Sequence, residues 1–447
     1  MTEFTYSDNN EFLNAFNIIK HTNFSLLITG KAGTGKSSFI RYITKNIEKN
    51  FLIVAPTGIA AINVHGVTIH SFFRLPPRPI LPGDECIQGF FWDKNRNNML
   101  RKLDTIIIDE VSMVRADIMD AIDASLRKGL KKPGIPFGGK QVIMVGDIFQ
   151  LEPVVTNEDY EIIEGHYNTP YFFSAAVFKH INLIHIELKK IYRQKDQDFI
   201  TLLDKIRKDN ISSLEINELN NRVDPFFEPD DNDYIVTLTT RNDMAANINK
   251  NKLSKINYPL FSFEGNIDGK FDNEKLPTNR ILQLKKDAQI IFIRNDSKHR
   301  WVNGTIGKIH ELSESSVKVI LENGEIFNLE KETWENVSYK WNREEGKIDT
   351  EVMGSFVQYP VKLAWAITIH KSQGLTFDKV VIDIGSGAFA SGQLYVALSR
   401  CRSLQGIYLK KELFKSDVIV DPSIIDFNEQ SASDDKQINH ILDSIPK

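Results

Sequence analysis

Through the first 190 or so residues, short apolar runs alternate with stretches whose apolar residues recur every three or four positions. The runs at 25–29 (SLLIT), 51–55 (FLIVA), 105–108 (TIII), 141–145 (QVIMV) and 183–188 (LIHIEL) have the length and β-branched content of strands. Several are apolar throughout rather than alternating, as parallel strands covered on both faces are. Between them, 113–129 sets Met113, Ile118, Met119, Ile122 and Leu126 at helical spacing. Strand–helix alternation of this kind predicts an α/β domain with a parallel sheet. The pattern returns in two pieces. The first reads as helix 199–207, strand 234–239 and helix 243–253; the second as helix 362–370, strand 379–384, helix 393–400 and strand 406–409. The stretch between, 255–358, has no long helical period. It carries short alternating strands at 289–294, 307–312, 316–321 and 325–329, separated by Gly, Asn and Asp, which predicts a small antiparallel barrel inserted into the α/β fold. From about residue 426 the chain reads as a polar tail with at most one short helix.

A chain of 447 residues holds roughly two to four domains and ample core. Its 41% hydrophobic and 26% charged residues are ordinary for a globular protein and exclude a collagenous, mucin-like or largely disordered one. No apolar run is long enough for a transmembrane helix, and the start, MTEFTYSDNNEF, lacks the basic-then-apolar pattern of a secretory signal. Two cysteines, Cys86 and Cys401, have no partner at metal-ligand spacing, so a reduced, intracellular protein is expected. The net charge of −4 averages over the surface and does not exclude nucleic acid, because binding depends on local patches. One basic cluster runs from Lys285 through Lys286, Arg294, Lys298 and Arg300 to Lys308, beside Trp301.

Chemistry enters at Gly30-Lys31-Ala32-Gly33-Thr34-Gly35-Lys36-Ser37, which matches the phosphate loop G-x-x-x-x-G-K-[ST] between a strand and a helix. Average residue usage makes a chance match in such a chain on the order of one in a hundred. Here Gly33, Thr34, Gly35, Lys36, Ser37 and Ser38 form the nucleotide-binding set. Lys36 neutralises the β- and γ-phosphates, and Ser37 ligates magnesium. The apolar strand 105–108 ends in Asp109-Glu110. Asp109 is placed to hold the magnesium and Glu110 to orient and deprotonate the attacking water. Phosphoryl transfer also needs positive charge at the γ-phosphate, for which Arg193 and Arg400 are the candidates, with Gln150 as a γ-phosphate sensor.

In order along the chain, GKAGTGKS, APTGIAA, DEVSM, GDIFQLEPV, IYRQ, TIHKSQG and YVALSR resemble the motif series of superfamily 1 DNA helicases. The resemblance is closest to the PIF family of 5′-to-3′ helicases, near relatives of RecD and Dda. The segments 55–73 (APTGIAAINVHGVTIHSFF) and Pro136-Phe137-Gly138-Gly139-Lys140-Gln141 strengthen it, and it covers about 26–410. What it implies is two RecA-like motor domains, 1–186 and 187–254 with 359–425, binding ATP and Mg²⁺ between them. A Src-homology-3-like β-barrel at 255–358 and a polar tail at 426–447 complete the expected architecture. It implies that Thr57, His70, Thr368 and His370 line the track of a single DNA strand, and that Gln373 and Gly374 couple that track to nucleotide. The wedge for strand separation is expected within 64–95, at His65–Arg78, with Phe72 and Phe73 as either stacking groups or core residues. Two positions depart from the pattern: the segment from Asn9 to Asn14 lacks the usual adenine-reading Gln, and Glu152-Pro153 stands where two prolines are usual.

The implied activity is ATP-dependent 5′-to-3′ unwinding of duplex DNA, with single strands and junctions as partners, no membrane, and a monomer as the working form. G-quadruplex unwinding, repair, recombination and telomere work belong to the family rather than to any residue here. The short N-terminal stretch leads us to expect a bacterial, cytoplasmic form. The alternative is a strand translocase that remodels protein–DNA complexes without separating strands. A small-molecule kinase would explain neither TIHKSQG nor YVALSR.

Overall fold

The computed structural model describes residues 9–88, 94–194, 196–230, 233–271, 276–342, 347–433 and 435–445. The polar start of the chain and part of the expected wedge, 89–93, lie outside the described residues. Contacts divide the chain into two units. The first is 1–192 with 338–351 and 421–447; the second is 193–337 with 352–420.

In the first unit six strands form one parallel sheet: β1 (Ser25–Gly30), β2 (Phe51–Ala55), β3 (Val67–Thr68), β4 (Thr105–Ile108), β5 (Gln141–Gly146) and β6 (Leu183–Leu188), in the order β3-β2-β4-β5-β1-β6. Every residue of β4 and β5 is buried, which is why those runs are apolar without alternation. On one face, helices Asn10–His21, Lys36–Asn46 and Asp435–Asp443 close over Leu26, Ile28, Ile107, Ile143 and Ile186. Helix Ala116–Gly129 buries Ile118, Met119, Ile122 and Leu126. It starts later than the periodicity predicted, because Val111–Met113 forms a separate 3₁₀ turn and Arg115 is extended.

The second unit has its own parallel sheet. Its strands are β7 (Val236–Thr239), β18 (Ala366–Thr368), β19 (Val380–Asp383) and β20 (Ile407–Leu409), in the order β18-β7-β19-β20. Helices Gln197–Arg207, Asn242–Lys255 and Gln393–Ser399 accompany it. Between β7 and β18 run β8 (Phe261–Glu264), β9 (Asn266–Gly269), β10 (Ile281–Leu284), β11 (Gln289–Phe292), β12 (Ile306–Leu312), β13 (Val317–Leu321), β14 (Ile326–Leu329), β15 (Glu332–Asn342), β16 (Lys347–Gln358) and β17 (Val361–Leu363). Five of these make an antiparallel sheet, β14-β13-β12-β11-β17, around a core that includes Ile290, Phe292, Trp301, Ile309 and Val319.

Two expectations are corrected. The helix predicted over 362–370 is two strands, β17 and β18, followed by a 3₁₀ turn at His370–Ser372. Leu363, Ala366, Ile367 and His370 mimic a helical face by spacing alone. In fact β17 joins the antiparallel sheet and β18 the parallel one, so each buries its apolar residues in a different core. The tail holds two helices, Pro422–Ser431 and Asp435–Asp443; Ile438 and Ile441 of the second join the first unit's core. Among the described residues no helix is long and apolar enough to cross a membrane.

Candidate nucleotide- and strand-binding sites

In the first unit the chemistry collects at the C-terminal ends of three adjacent strands, β4, β5 and β1, where open parallel sheets bind ligands. After β1 the loop turns through Gly33 (φ 84°) and Gly35 (φ 86°), a left-handed region that other residues enter only with strain. The turn delivers the chain to the N-terminus of helix Lys36–Asn46 with its first amides unpaired by any side-chain cap. The Lys36 ammonium donates to the carbonyls of Gly30 (2.7 Å) and Lys31 (3.1 Å), so it closes the loop on itself. Thr34 is buried, and its hydroxyl donates to the Lys31 carbonyl at 3.0 Å. Ser37 is exposed on the first turn of the helix, and Ser38 is half-buried with its hydroxyl near Arg41.

Asp109 directly follows β4, buried, with its amide on the Val54 carbonyl at 2.9 Å. Burial first, and the Glu110 charge second, hold its carboxyl well above the ordinary carboxylate range; the nearby Lys36 ammonium opposes them. Glu110 takes a left-handed conformation (φ 50°), which a non-glycine residue adopts at a cost, and its side chain is half-buried. Beyond β5, Gln150 is buried and its carboxamide donates to Asp147 at 3.2 Å. Thr57 caps helix Gly58–Asn63 by accepting the Ala60 amide at 3.2 Å. His70 lies half-buried on the short helix Ile69–Phe73. Of the two roles open to Phe72 and Phe73, the side chains show the core one. Both rings are buried and meet edge to face at 4.9 Å, so this helix presents them to the core.

The second unit carries the remaining candidates. Arg400 is only 1% exposed; its guanidinium donates to the Val396 carbonyl, the Ser399 hydroxyl and, at 3.4 Å, the Ser372 carbonyl. Arg193 donates to the Ser399 carbonyl at 3.3 Å, and Gln194 reaches the same carbonyl at 3.1 Å. The two arginines therefore gather on the C-terminal turn of helix Gln393–Ser399. Thr368 ends β18 and accepts the Lys371 amide. His370 follows, and burial pushes its imidazole pKa down. The amide of Gln373 donates to the His370 carbonyl at 3.3 Å, and Gly374 takes a left-handed φ of 80° with open space about it.

Comparison with known proteins fits this arrangement. The model of the PIF1-like helicase matches residues 8–217, and that of the UvrD-like helicase C-terminal domain matches 363–407. A Bdellovibrio bacteriovorus protein named ATP-dependent DNA helicase Pif1 is 32% identical over 416 residues, which cover 91% of this chain and 88% of that one. The chain belongs to the PIF1-like helicase family.

Solved structures of Pif1 from Bacteroides agree with that membership. One, in complex with ADP-AlF4, is 38% identical and superposes with a TM-score of 0.87 over 94% of this chain and 96% of that one. Another, bound to ssDNA, is 39% identical with a TM-score of 0.69 over the same shares. Vertebrate members are longer, and the chain spans about 58% of their length.

Three features of this PIF1-like chain were not evident from its motifs. The Tyr192 amide donates to the Gly33 carbonyl at 2.9 Å, and its ring lies 3.7 Å from where a side chain on Gly35 would start. Asn9, in the segment that lacks Gln, is buried; it caps helix Asn10–His21 and directs its amide to the Tyr192 hydroxyl at 3.4 Å. The position of Tyr192 directly before Arg193 was the available signal. The basic cluster 285–308 is largely consumed inside the fold. Arg300 pairs with Asp296, Arg294 with Glu332, and Lys308 is buried over the Tyr234 ring.

Proposed function

We propose that the chain is an ATP-dependent DNA helicase that moves 5′-to-3′ along a single strand and opens the duplex ahead of it. The observation that carries this reading is the meeting of the phosphate loop, the Asp109–Glu110 pair and Gln150 at neighbouring strand ends in a PIF1-like chain. On this reading it has two RecA-like motor domains, 1–186 and 187–254 with 359–425, and a Src-homology-3-like barrel at 255–358. The all-parallel sheets and the antiparallel strands between β7 and β18 support that division.

Lys36 gives up its two loop carbonyls for the β- and γ-phosphates, which the amides of Gly33, Thr34, Gly35 and the first helical turn cradle. Ser37 and Asp109 hold Mg²⁺, which supplies charge neutralisation on the phosphates. A buried carboxyl crowded by the Glu110 charge, and only partly offset by the Glu110 amide and Lys36, is a donor that favours a hard divalent cation. Glu110 orients and deprotonates the attacking water, and Gln150 senses the γ-phosphate. The Tyr192 ring, beside Gly35, faces the nucleotide. Arg193 and Arg400 neutralise the charge that builds on the γ-phosphate. Arg400 also touches the Ser372 carbonyl, so its movement is felt beside His370 and at Gln373-Gly374. Thr57 and His70, with Thr368 and His370, grip the strand backbone. Alternating grip turns each hydrolysis into a step, against a melting cost of about 1.4 kcal/mol per base-pair step.

The test is ATP hydrolysis with and without single-stranded DNA, for the full chain and for Lys36→Ala. The wild type should be stimulated by the strand, and the variant should lose at least about a hundredfold of the rate. Hydrolysis undiminished in Lys36→Ala would contradict the proposal.

A further inference from the structure

A cavity of about 500 Å³ lies in the second unit and is lined by Leu276, Thr278, Asn279, Arg280 and Lys362, none of them a residue assigned above. Apart from Leu276 its described lining is polar and cationic, with no acidic side chain among the described residues. Lys362 sits at the centre of β17. Its neighbours Val361 and Leu363 pack into the antiparallel core, so strand alternation turns Lys362 to the other face, towards the cavity. The loop that forms the opposite wall is fixed, since the Thr278 hydroxyl donates to the Val361 carbonyl at 2.7 Å and the Arg280 carbonyl accepts the Gln358 amide at 3.0 Å.

The Lys362 ammonium has no hydrogen-bond or ion-pair partner among the described residues. Burial, and secondly the charge of Lys371, push its pKa down to about 8. A half-buried cation facing a second cation is unfavourable unless an anion arrives. Arg280, on the rim, shares its guanidinium with the exposed Glu264 at 3.3 Å and stays accessible. Lys371, whose charge reaches Lys362, belongs to the turn His370–Ser372 that follows Thr368 and Ile369, so the cavity adjoins the segment assigned to the strand.

We propose that this cavity is a phosphodiester-binding subsite, in which Lys362, aided by Lys371 and Arg280, takes a backbone phosphate of the single strand next to the segment 368–370. The proposal rests on the strand-binding reading above and extends the track onto β17 and the loop before β10. It assigns Lys362 a role that neither the phosphate loop nor the helicase motifs require.

The experiment measures binding of a fluorescently labelled oligo-dT to the full chain by anisotropy across a salt series, for wild type, Lys362→Met, Lys362→Arg and Arg280→Ala. Lys362→Met should bind roughly three- to tenfold more weakly, with a salt slope shallower by about 0.7, the value for one phosphate contact on a single strand. Lys362→Arg should stay near wild type. Arg280→Ala, which removes only exposed surface, should weaken binding in the same direction. Thermal melting should find Lys362→Met no less stable than wild type, because it removes a cation without a counter-charge, whereas a lysine kept for stability would lower the midpoint. Unchanged oligo-dT affinity and slope in both Lys362→Met and Arg280→Ala would overturn the inference and leave the helicase reading intact. So would a loss confined to inorganic phosphate, which would assign the cavity to a free anion. Failure of the wild type itself to bind oligo-dT would overturn both.

Discussion

At the scale of single residues, the family segment Pro136–Gly139 has a structural explanation that its sequence concealed. Phe137, Gly138 and Gly139 take left-handed φ values of 50°, 61° and 81° in succession. The Phe137 ring is buried, and its amide donates to the Asp123 carboxylate at 2.5 Å, which ties the turn before β5 to the middle of helix Ala116–Gly129. A methyl group on Gly138 would lie 2.6 Å from a Leu130 methyl and 2.9 Å from the Leu126 carbonyl, whereas at Gly139 it would meet only ordinary contacts near 3.6 Å. Gly138→Ala should therefore destabilise the chain by about 1–3 kcal/mol from strain and clash together, and Gly139→Ala by less, in urea unfolding. Equal effects at the two positions would show that backbone conformation alone governs the segment. Phe72 marks the opposite case. Its sequence left stacking and burial equally open, because a five-residue helix turns a single apolar face inward and spacing alone cannot show which.

At the scale of elements, the strands of the first unit were legible because burial on both faces forces uninterrupted apolar runs, as in TIII and QVIMV. The phosphate loop and the acidic pair were legible because their chemistry demands fixed residue types at fixed offsets. What escaped was whatever tertiary context decides. Residues 362–370 have a helical pattern but are shared between two sheets. The strands β8, β9 and β10 were missed because each is only four residues long, too short for its period to stand out. The C-terminal helix was hidden by its acidic surroundings, since it turns only Ile438, Ile441 and the partly buried Leu442 to the core among its described residues. The two isoleucines are 7% and 8% exposed, so Ile438→Ala or Ile441→Ala should each lower stability by about 2–4 kcal/mol in thermal or urea melts. Lys436→Ala, on an exposed position of the same helix, should change it by less than about 0.5 kcal/mol. No loss in either isoleucine variant would show that the helix is not part of the first unit's core.

At the scale of the whole molecule, two parallel sheets each carry half of the proposed machinery, and neither half alone accounts for directed movement. The first holds the phosphate loop, Asp109, Glu110 and Gln150. The second holds Arg193, Arg400 and the strand segment around Thr368 and His370. Their association with one activity rests on coupling hydrolysis to strand movement, which has a polarity and therefore a decisive readout. The measurement is strand separation on duplexes bearing a single-stranded tail at either the 5′ or the 3′ end, with ATP, using wild type and Lys36→Ala. The account predicts that the wild type opens the 5′-tailed duplex and leaves the 3′-tailed one intact, and that Lys36→Ala opens neither. Opening of the 3′-tailed duplex by the wild type, or of either duplex by Lys36→Ala, would contradict it.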